Sequence, residues 1–364
     1  MDHFSLSAKI LSENLERDID FILRHSARAQ FADLTGGTKN SKEICLVDES
    51  RQYAGSFKYR GAILGVSTHP KGVVACGSGN FAIAVGLAAS KLSIPATVVM
   101  PENAPAEKRE MALNSGSELL LVPRSDFVDC AKLEAKARGL PLLHPFRDAS
   151  MLVGSCSLGV ELAHAMKVEG SPDDAIVVAC GGGGLAAGTS LGLRISGIEN
   201  DIYVAEPEHF PRLYAALNVS HPVEIVAQEQ TICDALRVTE IGSLAFSILQ
   251  KIGVRTLAAS DAGVIEAQAL MARETGIQAE PSGALALAAI SEGELPRHYR
   301  RLWVIVCGGN EVSETVRSSF VRPKRTILNQ SYSGTKMEDS AETCMKRVSS
   351  IHRVPLKRSV VWHK

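Results

Sequence analysis

Two segments of this sequence place a lysine or a cysteine where it could act on a small planar ligand. The first is GSFKYRGA (Gly55–Ala62), in which Lys58 follows a bulky aromatic residue, Phe57, and has a glycine on either side. A lysine in a loop is usually a solvated surface residue, but this setting suits a lysine held beside a flat ring. The second segment is VCGGNE (Val306–Glu311), which follows an apolar run and begins with Cys307 next to two glycines.

Two further segments have the composition of anion-binding loops. GSGN (Gly77–Asn80) and CGGGGLAAG (Cys180–Gly188) each follow an apolar run and precede an Ala-rich helical pattern. Small residues there let backbone N–H groups converge on an anion at the positive end of a helix. Four glycines in a row indicate a phosphate site. Because neither the Walker pattern nor the dinucleotide fingerprint is present, the phosphate is expected to belong to a compact cofactor.

The elements that must position these segments alternate along the chain. Apolar runs such as GVVAC (Gly72–Cys76), ATVVM (Ala96–Met100) and AIVVAC (Ala175–Cys180) predict strands, and each is followed by a helical pattern. This rhythm is typical of a parallel sheet with crossover helices. In such sheets the ligand lies at the carboxyl ends of the strands, where all four segments fall.

The overall composition is that of a globular protein with a small-molecule partner. The 364 residues are 45% hydrophobic and 22% charged, with a formal net charge of −1 and only 5% aromatic residues. This balance gives no general attraction to nucleic acid or to an anionic membrane. The beginning of the sequence does not look like a secretory signal, and no uncharged apolar stretch approaches a membrane span. Eight dispersed cysteines without a C-x-x-C pair favour a cytoplasmic protein with reduced thiols.

In their order along the chain, the four segments resemble the fold-type II enzymes that use pyridoxal 5′-phosphate (PLP), in the serine/threonine dehydratase and serine racemase branch. The resemblance covers about residues 30–320. It includes HPF (His144–Phe146), the pair Glu206–Pro207 and EPSGALALAA (Glu280–Ala289). It implies a tryptophan synthase β-like α/β fold with two three-layer α/β domains and parallel sheets.

The resemblance also implies domain limits. Residues 1–50 and 157–322 are expected to form a large PLP-binding domain, and residues 51–156 a small substrate-side domain. Residues 323–364 form a basic tail; from Arg322 onward there are ten basic and three acidic residues, a net charge of +7. Such a segment predicts poor order.

The same resemblance assigns a role to each site residue. Lys58 is expected to form the Schiff base with the cofactor and to remove the Cα proton, while Ser78 is expected to act from the opposite face. Cys307 is expected to face the pyridine nitrogen as a neutral partner. The predicted cofactor-binding residues are Phe57, Lys58, Asn80, Gly181, Gly182, Gly183, Gly184, Leu185 and Cys307. The predicted substrate-binding residues are Gly77, Ser78, Gly79, Asn80 and Phe81.

One position departs from the racemase branch, where a divalent cation is held by a glutamate and an acidic residue a few positions later. Glu206 matches the glutamate, but the later position is Arg212. A cation beside a cation site is electrostatically unfavourable. The sequence therefore predicts no magnesium or calcium there.

These features predict a homodimeric ammonia-lyase (dehydratase) that converts serine, threonine or a related β-hydroxy amino acid to a 2-oxo acid and ammonia. An amino-acid racemase, marked by Ser78, and a β-replacement synthase of the same fold remain alternatives. A non-catalytic PLP-binding protein is disfavoured because Lys58, Asn80 and all four glycines are present.

Overall fold

A computed structural model describes residues 14–34, 42–77, 79–146, 148–227, 229–293 and 295–310 of the chain. The predicted basic tail lies outside these ranges. The strands they contain are β1 (Gln30–Leu34), β2 (Glu43–Asp48), β3 (Val73–Cys76), β4 (Ala96–Pro101), β5 (Glu118–Val122), β6 (Leu142–Leu143), β7 (Ala175–Ala179), β8 (Asp201–Pro207), β9 (Arg255–Ala259) and β10 (Arg301–Val306).

The helices in the same ranges carry the crossovers between strands. They are α1 (Leu15–His25), α2 (Lys58–Ser67), α3 (Asn80–Leu92), α4 (Ala106–Asn114), α5 (Phe127–Arg138), α6 (Ala149–Glu169), α7 (Gly184–Ile195), α8 (Arg212–Val219), α9 (Ser243–Ile252), α10 (Asp261–Thr275) and α11 (Pro281–Glu292). A single 3₁₀ turn spans Asp234–Leu236.

The strands form two sheets, of order β1-β2-β10-β7-β8-β9 and β5-β4-β3-β6. Every pair is parallel except β1 with β2, so the prediction of parallel sheets is correct apart from this one edge strand. The physical reason is the short connection between Leu34 and Glu43. A parallel pair needs a crossover of about a dozen residues or more.

Each sheet lies between two layers of helices. One face of the six-stranded sheet packs against α10 and α11, and the other against α6, α7, α8 and α9. The four-stranded sheet packs against α1, α2, α3 and α6 on one face and against α5 on the other. Strands buried on both faces read as continuous apolar runs, which explains why VVAC and IVVA are strands.

Helix α6 belongs to both cores. Met151 and Val153 pack with the four-stranded sheet, while Leu158 and Leu162 pack with the six-stranded one. The domain boundary expected between residues 156 and 157 therefore falls inside a helix. Among the described helices, α6 alone is long and apolar enough to cross a membrane, and 67% of its most apolar window is buried inside the molecule.

A buried ion pair fixes the helix that begins with Lys58. The guanidinium of Arg60 donates two hydrogen bonds of 2.7 Å to the carboxylate of Glu49, at the end of β2. It also lies 2.5 Å from the carboxylate of Glu161 on α6. Arg60 and Glu49 have no solvent exposure. Burial raises the pKa of Glu49 above its usual value, and the charge of Arg60 opposes this rise.

We predict that Arg60→Ala lowers the free energy of unfolding by about 3–5 kcal/mol, because it leaves buried carboxylates without their partner. Denaturation with urea measures this change. Arg28→Ala is the matched control, since Arg28 contacts the same Glu161 at 2.9 Å from an exposed position and should cost about 1 kcal/mol or less. Equal losses in the two variants would contradict the prediction.

Candidate active site

A cavity of about 350 Å³ lies at the carboxyl ends of β3, β7 and β10. This is where open parallel sheets place their ligands. Ser78 lies outside the described residues. All the other residues to which the sequence assigned a role line the cavity: Phe57, Lys58, Gly77, Gly79, Asn80, Phe81, Gly181, Gly182, Gly183, Gly184, Leu185 and Cys307.

Backbone hydrogen bonds fix Lys58 opposite the end of β10. The N–H of Phe57 donates to the carbonyl of Cys307 at 3.1 Å, and the N–H of Gly309 donates to the carbonyl of Gly55 at 2.9 Å. The Nζ atom of Lys58 lies 4.1 Å from the centroid of the Phe57 ring. Burial lowers the pKa of Lys58. A larger share of this amine is therefore neutral, the form that can act as a nucleophile or a base.

The glycine loop between β7 and α7 is shaped so that side chains would not fit. A Cβ on Gly182 would lie 2.6 Å from the ring of Phe146, and one on Gly183 would lie 2.7 Å from Ala245. Gly183 also has a φ of +89°, which glycine adopts at little cost. It precedes α7, whose first turn no described side chain caps. The loop therefore presents the positive end of a helix to the cavity and suits a phosphate.

A chain of buried hydrogen bonds joins the segments that contain Asn80 and Asn310 to Ala54, beside the Lys58 segment, and to Glu280. The side-chain amide of Asn310 donates to the carbonyl of Ala54 at 2.7 Å and to Oδ1 of Asn80 at 3.0 Å. The Asn80 amide donates to the Glu280 carboxyl at 2.5 Å, and the Glu280 N–H donates to the carbonyl of Gly308 at 3.0 Å. Asn80 is thus held from both sides at the start of α3.

Among the polar residues of the cavity and its supports, Glu280, Asn310, Lys108 and Asp234 carry no predicted role. Glu280 and Asn310 belong to segments that matched the family, EPSG and CGGN, so a signal for them was present. Lys108 and Asp234 form an ion pair of 2.5 Å across the cavity and belong to no matched motif. Their meeting depends on the packing of the two sheets, which no spacing in the sequence encodes.

The residues around Cys307 offer neutral and unsatisfied polar groups. Its thiol donates to the carbonyl of Ser282 at 3.3 Å, and burial raises the thiol pKa, which keeps it protonated. Ser282 Oγ and Glu280 Oε2 are buried in the cavity wall with no hydrogen-bond partner among the described residues. Buried polar atoms normally have partners, so these two fit a polar ligand. The glycine loop and Cys307 line the same cavity, and a phosphorylated pyridine such as PLP fits this chemistry.

Comparison with known proteins supports the same cofactor. Residues 27–308 match the family model described as pyridoxal-phosphate dependent enzyme. The chain is 28% identical over 313 residues to an L-threonine ammonia-lyase of Thermotoga maritima, covering 83% of this chain and 75% of that protein. It is 32% identical over 272 residues to a β-hydroxyaspartate dehydratase of Paracoccus denitrificans, covering 72% and 84%. The structure of maize serine racemase aligns with a TM-score of 0.77 and 26% identity, covering 84% of this chain and 95% of that one.

Glu280 generates a prediction about pH. Burial, followed by the charge of Asp234, raises the pKa of Glu280 to about 7, while Lys108 and the Asn80 hydrogen bond oppose the rise. The folded state therefore binds more protons than the unfolded state between about pH 4.5 and pH 7. The contribution of Glu280 to the free energy of unfolding therefore decreases as the pH rises through this window, by up to about 3 kcal/mol in total.

We predict that Glu280→Gln removes this component, because the Gln amide oxygen still accepts from Asn80 but does not titrate. Urea denaturation of both cofactor-free proteins, from about pH 5 to about pH 8, measures the difference. The free energy of unfolding of the variant should fall less steeply with pH. Parallel curves for the two proteins would show that Glu280 is ionised throughout.

Proposed function

Since this chain belongs to the family of pyridoxal-phosphate-dependent enzymes, we propose that it is an ammonia-lyase. The proposed reaction converts a small β-hydroxy amino acid to a 2-oxo acid and ammonia. The observation that carries the proposal is the cavity that Lys58, the glycine loop and the protonated thiol of Cys307 line together. Such a cavity contains a base, a phosphate site and a neutral group for a ring nitrogen.

Each residue has a task in this proposal. Bound PLP supplies an electron sink for the bond that breaks at Cα. Gly79 and Asn80 open helix α3 and bind the substrate carboxylate with their N–H groups, where the helix end is positive. Lys58 removes the proton from Cα, and its lowered pKa makes the neutral amine available for this step.

Cys307 favours elimination over other outcomes. A carboxylate beside a ring nitrogen stabilises the protonated nitrogen, whereas a neutral thiol does not. Burial at 4% exposure and a raised pKa keep this thiol neutral. We infer that Cys307 keeps the cofactor ring less electron-withdrawing, which favours concerted loss of the β-hydroxyl.

The names of the relatives support a β-hydroxy substrate and leave three candidates. They act on threonine, β-hydroxyaspartate or serine. β-Hydroxyaspartate has a second carboxylate, and Lys108 is a cation of the cavity wall whose side chain packs beside Gly79. Because Asp234 already pairs with Lys108, an acidic substrate must compete with it. We therefore place serine and threonine first and β-hydroxyaspartate second.

Racemisation is the alternative activity, and the similarity to serine racemases supports it. It needs a second proton donor on the other face of the cofactor, the role expected for Ser78. The homodimeric state and the cytoplasmic location stay predictions.

We predict that borohydride reduction of the PLP-bound protein places a pyridoxyl group on Lys58, because this buried amine faces the cofactor cavity. Peptide mass mapping locates the label. Lys108→Met should retain it and Lys58→Ala should lose it, since Lys108 is the other described lysine in the cavity wall. Label on Lys108 in the wild-type protein would overturn the assignment.

We predict that incubation with L-serine, L-threonine and L-threo-3-hydroxyaspartate releases a 2-oxo acid and ammonia in equal amounts. Lys58→Ala should slow this release by at least about 10²–10⁴-fold, the usual contribution of a general base. Chiral analysis of the remaining amino acid distinguishes the alternative. Accumulation of the D-enantiomer without 2-oxo acid would assign the chain as a racemase instead.

A further inference from the structure

The guanidinium of Arg212 lies in a cage of oxygen atoms behind the glycine loop. It donates to the carbonyls of Cys180, of Gly181 at 2.9 Å, of Leu236 at 2.9 Å and of Val238 at 3.1 Å. Arg212 has no solvent exposure. Four main-chain carbonyls from two separate segments thus converge on one buried positive charge.

A fifth oxygen completes the cage. Glu206 Oε1 lies 3.6 Å from the Arg212 Nε atom, and the Glu206 carboxylate accepts from the N–H groups of Leu213 at 2.9 Å and Tyr214 at 3.0 Å. Glu206 is 1% exposed. The carboxylate of Glu206 and the guanidinium of Arg212 therefore offer each other the opposite charge that a buried charge requires.

Carboxylate and carbonyl oxygens are the ligands that magnesium and calcium prefer. In the branch that this chain resembles, a divalent cation is held by the glutamate that Glu206 matches. Here the guanidinium donates to the four carbonyls and its positive charge lies 3.6 Å from Glu206 Oε1, so a metal ion does not fit. Across the described residues, no three His, Cys, Asp or Glu side chains form a metal-ligand cluster either.

We propose that Arg212 is a built-in cation that takes the place of a bound metal ion and positions the phosphate-binding loop. Cys180 and Gly181 begin that loop, while Leu236 and Val238 belong to the neighbouring segment of the cavity wall; a Cβ on Gly181 would lie 3.2 Å from Leu236. One side chain therefore ties two segments of the wall together. Arg212 does not touch the cavity itself and acts through these carbonyls as a positioning residue.

The cage also explains why arginine suits this position. A guanidinium carries five N–H donors in a rigid plane and stays charged when buried. It can therefore satisfy several carbonyls at once, whereas an ammonium ion has three donors on a flexible chain. The proposal depends on the cofactor and not on the substrate, so it stands apart from the ammonia-lyase assignment.

The test measures the PLP dissociation constant and the thermal unfolding temperature of the holoenzyme, with chelator and with added Mg²⁺ or Ca²⁺. The wild-type values should not depend on the metal. Arg212→Met leaves the carbonyls without a donor. We expect it to weaken PLP binding about tenfold or more, whether or not metal is present. The PLP affinity of Arg212→Lys should lie between those of the wild type and Arg212→Met.

Arg212→Asp gives the sharpest result, because it restores an acidic residue beside Glu206. With chelator it should bind PLP as poorly as Arg212→Met, and Mg²⁺ or Ca²⁺ should recover most of the affinity and of the unfolding temperature. Met271→Ala controls for stability alone, since Met271 is fully buried in α10. It should lower the unfolding temperature without changing PLP affinity.

Two outcomes would overturn the proposal. One is a wild-type protein that loses PLP on chelation and regains it with Mg²⁺. The other is an Arg212→Met variant that binds PLP as tightly as the wild type, which would assign Arg212 to general stability. If Arg212→Asp does not fold, the Met and Lys variants and the chelation of the wild type still decide.

Discussion

The hydrogen bonds of Asn80 are the constraint on which the site depends. Its side chain accepts from Asn310 and donates to Glu280, so three residues far apart in sequence share one buried polar contact. Buried amide and carboxyl groups are costly when unpaired, and each of these side chains satisfies another. Because the partners come from both sheets, the contact forms only when both have folded. The site is thus a consequence of tertiary packing and not of any single loop.

Around this contact the protein uses two buried arginines and the cavity-facing Lys58 in different ways. Arg60 pairs with carboxylates, and Arg212 donates to carbonyls and lies beside Glu206. Arginine stays charged in both places. Lys58 is the titratable one, and burial lowers its pKa because desolvation disfavours the ammonium form. The fixed charges support the backbone on either side, while the amine that faces the cavity can exchange a proton.

The sequence predicted the chemistry better than it predicted the edges of the fold. The four segments could be found because the glycines and Lys58 have local reasons for their types. The strand β9, with the sequence RTLAA, is half exposed and has no continuous apolar run, so it did not stand out. The edge strand β1 also has a mixed pattern and pairs antiparallel with β2. Its pairing depends on the length of a connection and not on its composition.

The long-range contacts of the cavity could not be predicted for a related reason. Lys108 on α4 and Asp234 in the 3₁₀ turn are 126 residues apart, and no periodicity relates them. Two of the contacts that cross the cavity between the two sheets, this pair and the bond from Asn80 to Glu280, are polar. Polar contacts depend steeply on distance and angle. A shift of one sheet relative to the other by about 1 Å would therefore weaken both contacts and misplace Lys58 relative to the glycine loop. Misplacements of this size cost about 10²-fold in rate.

Helix α6, which packs into both cores, opposes such a shift because its apolar side chains cannot leave either core without exposing surface to water. The precision of the site therefore depends on a helix that contributes little to the chemistry.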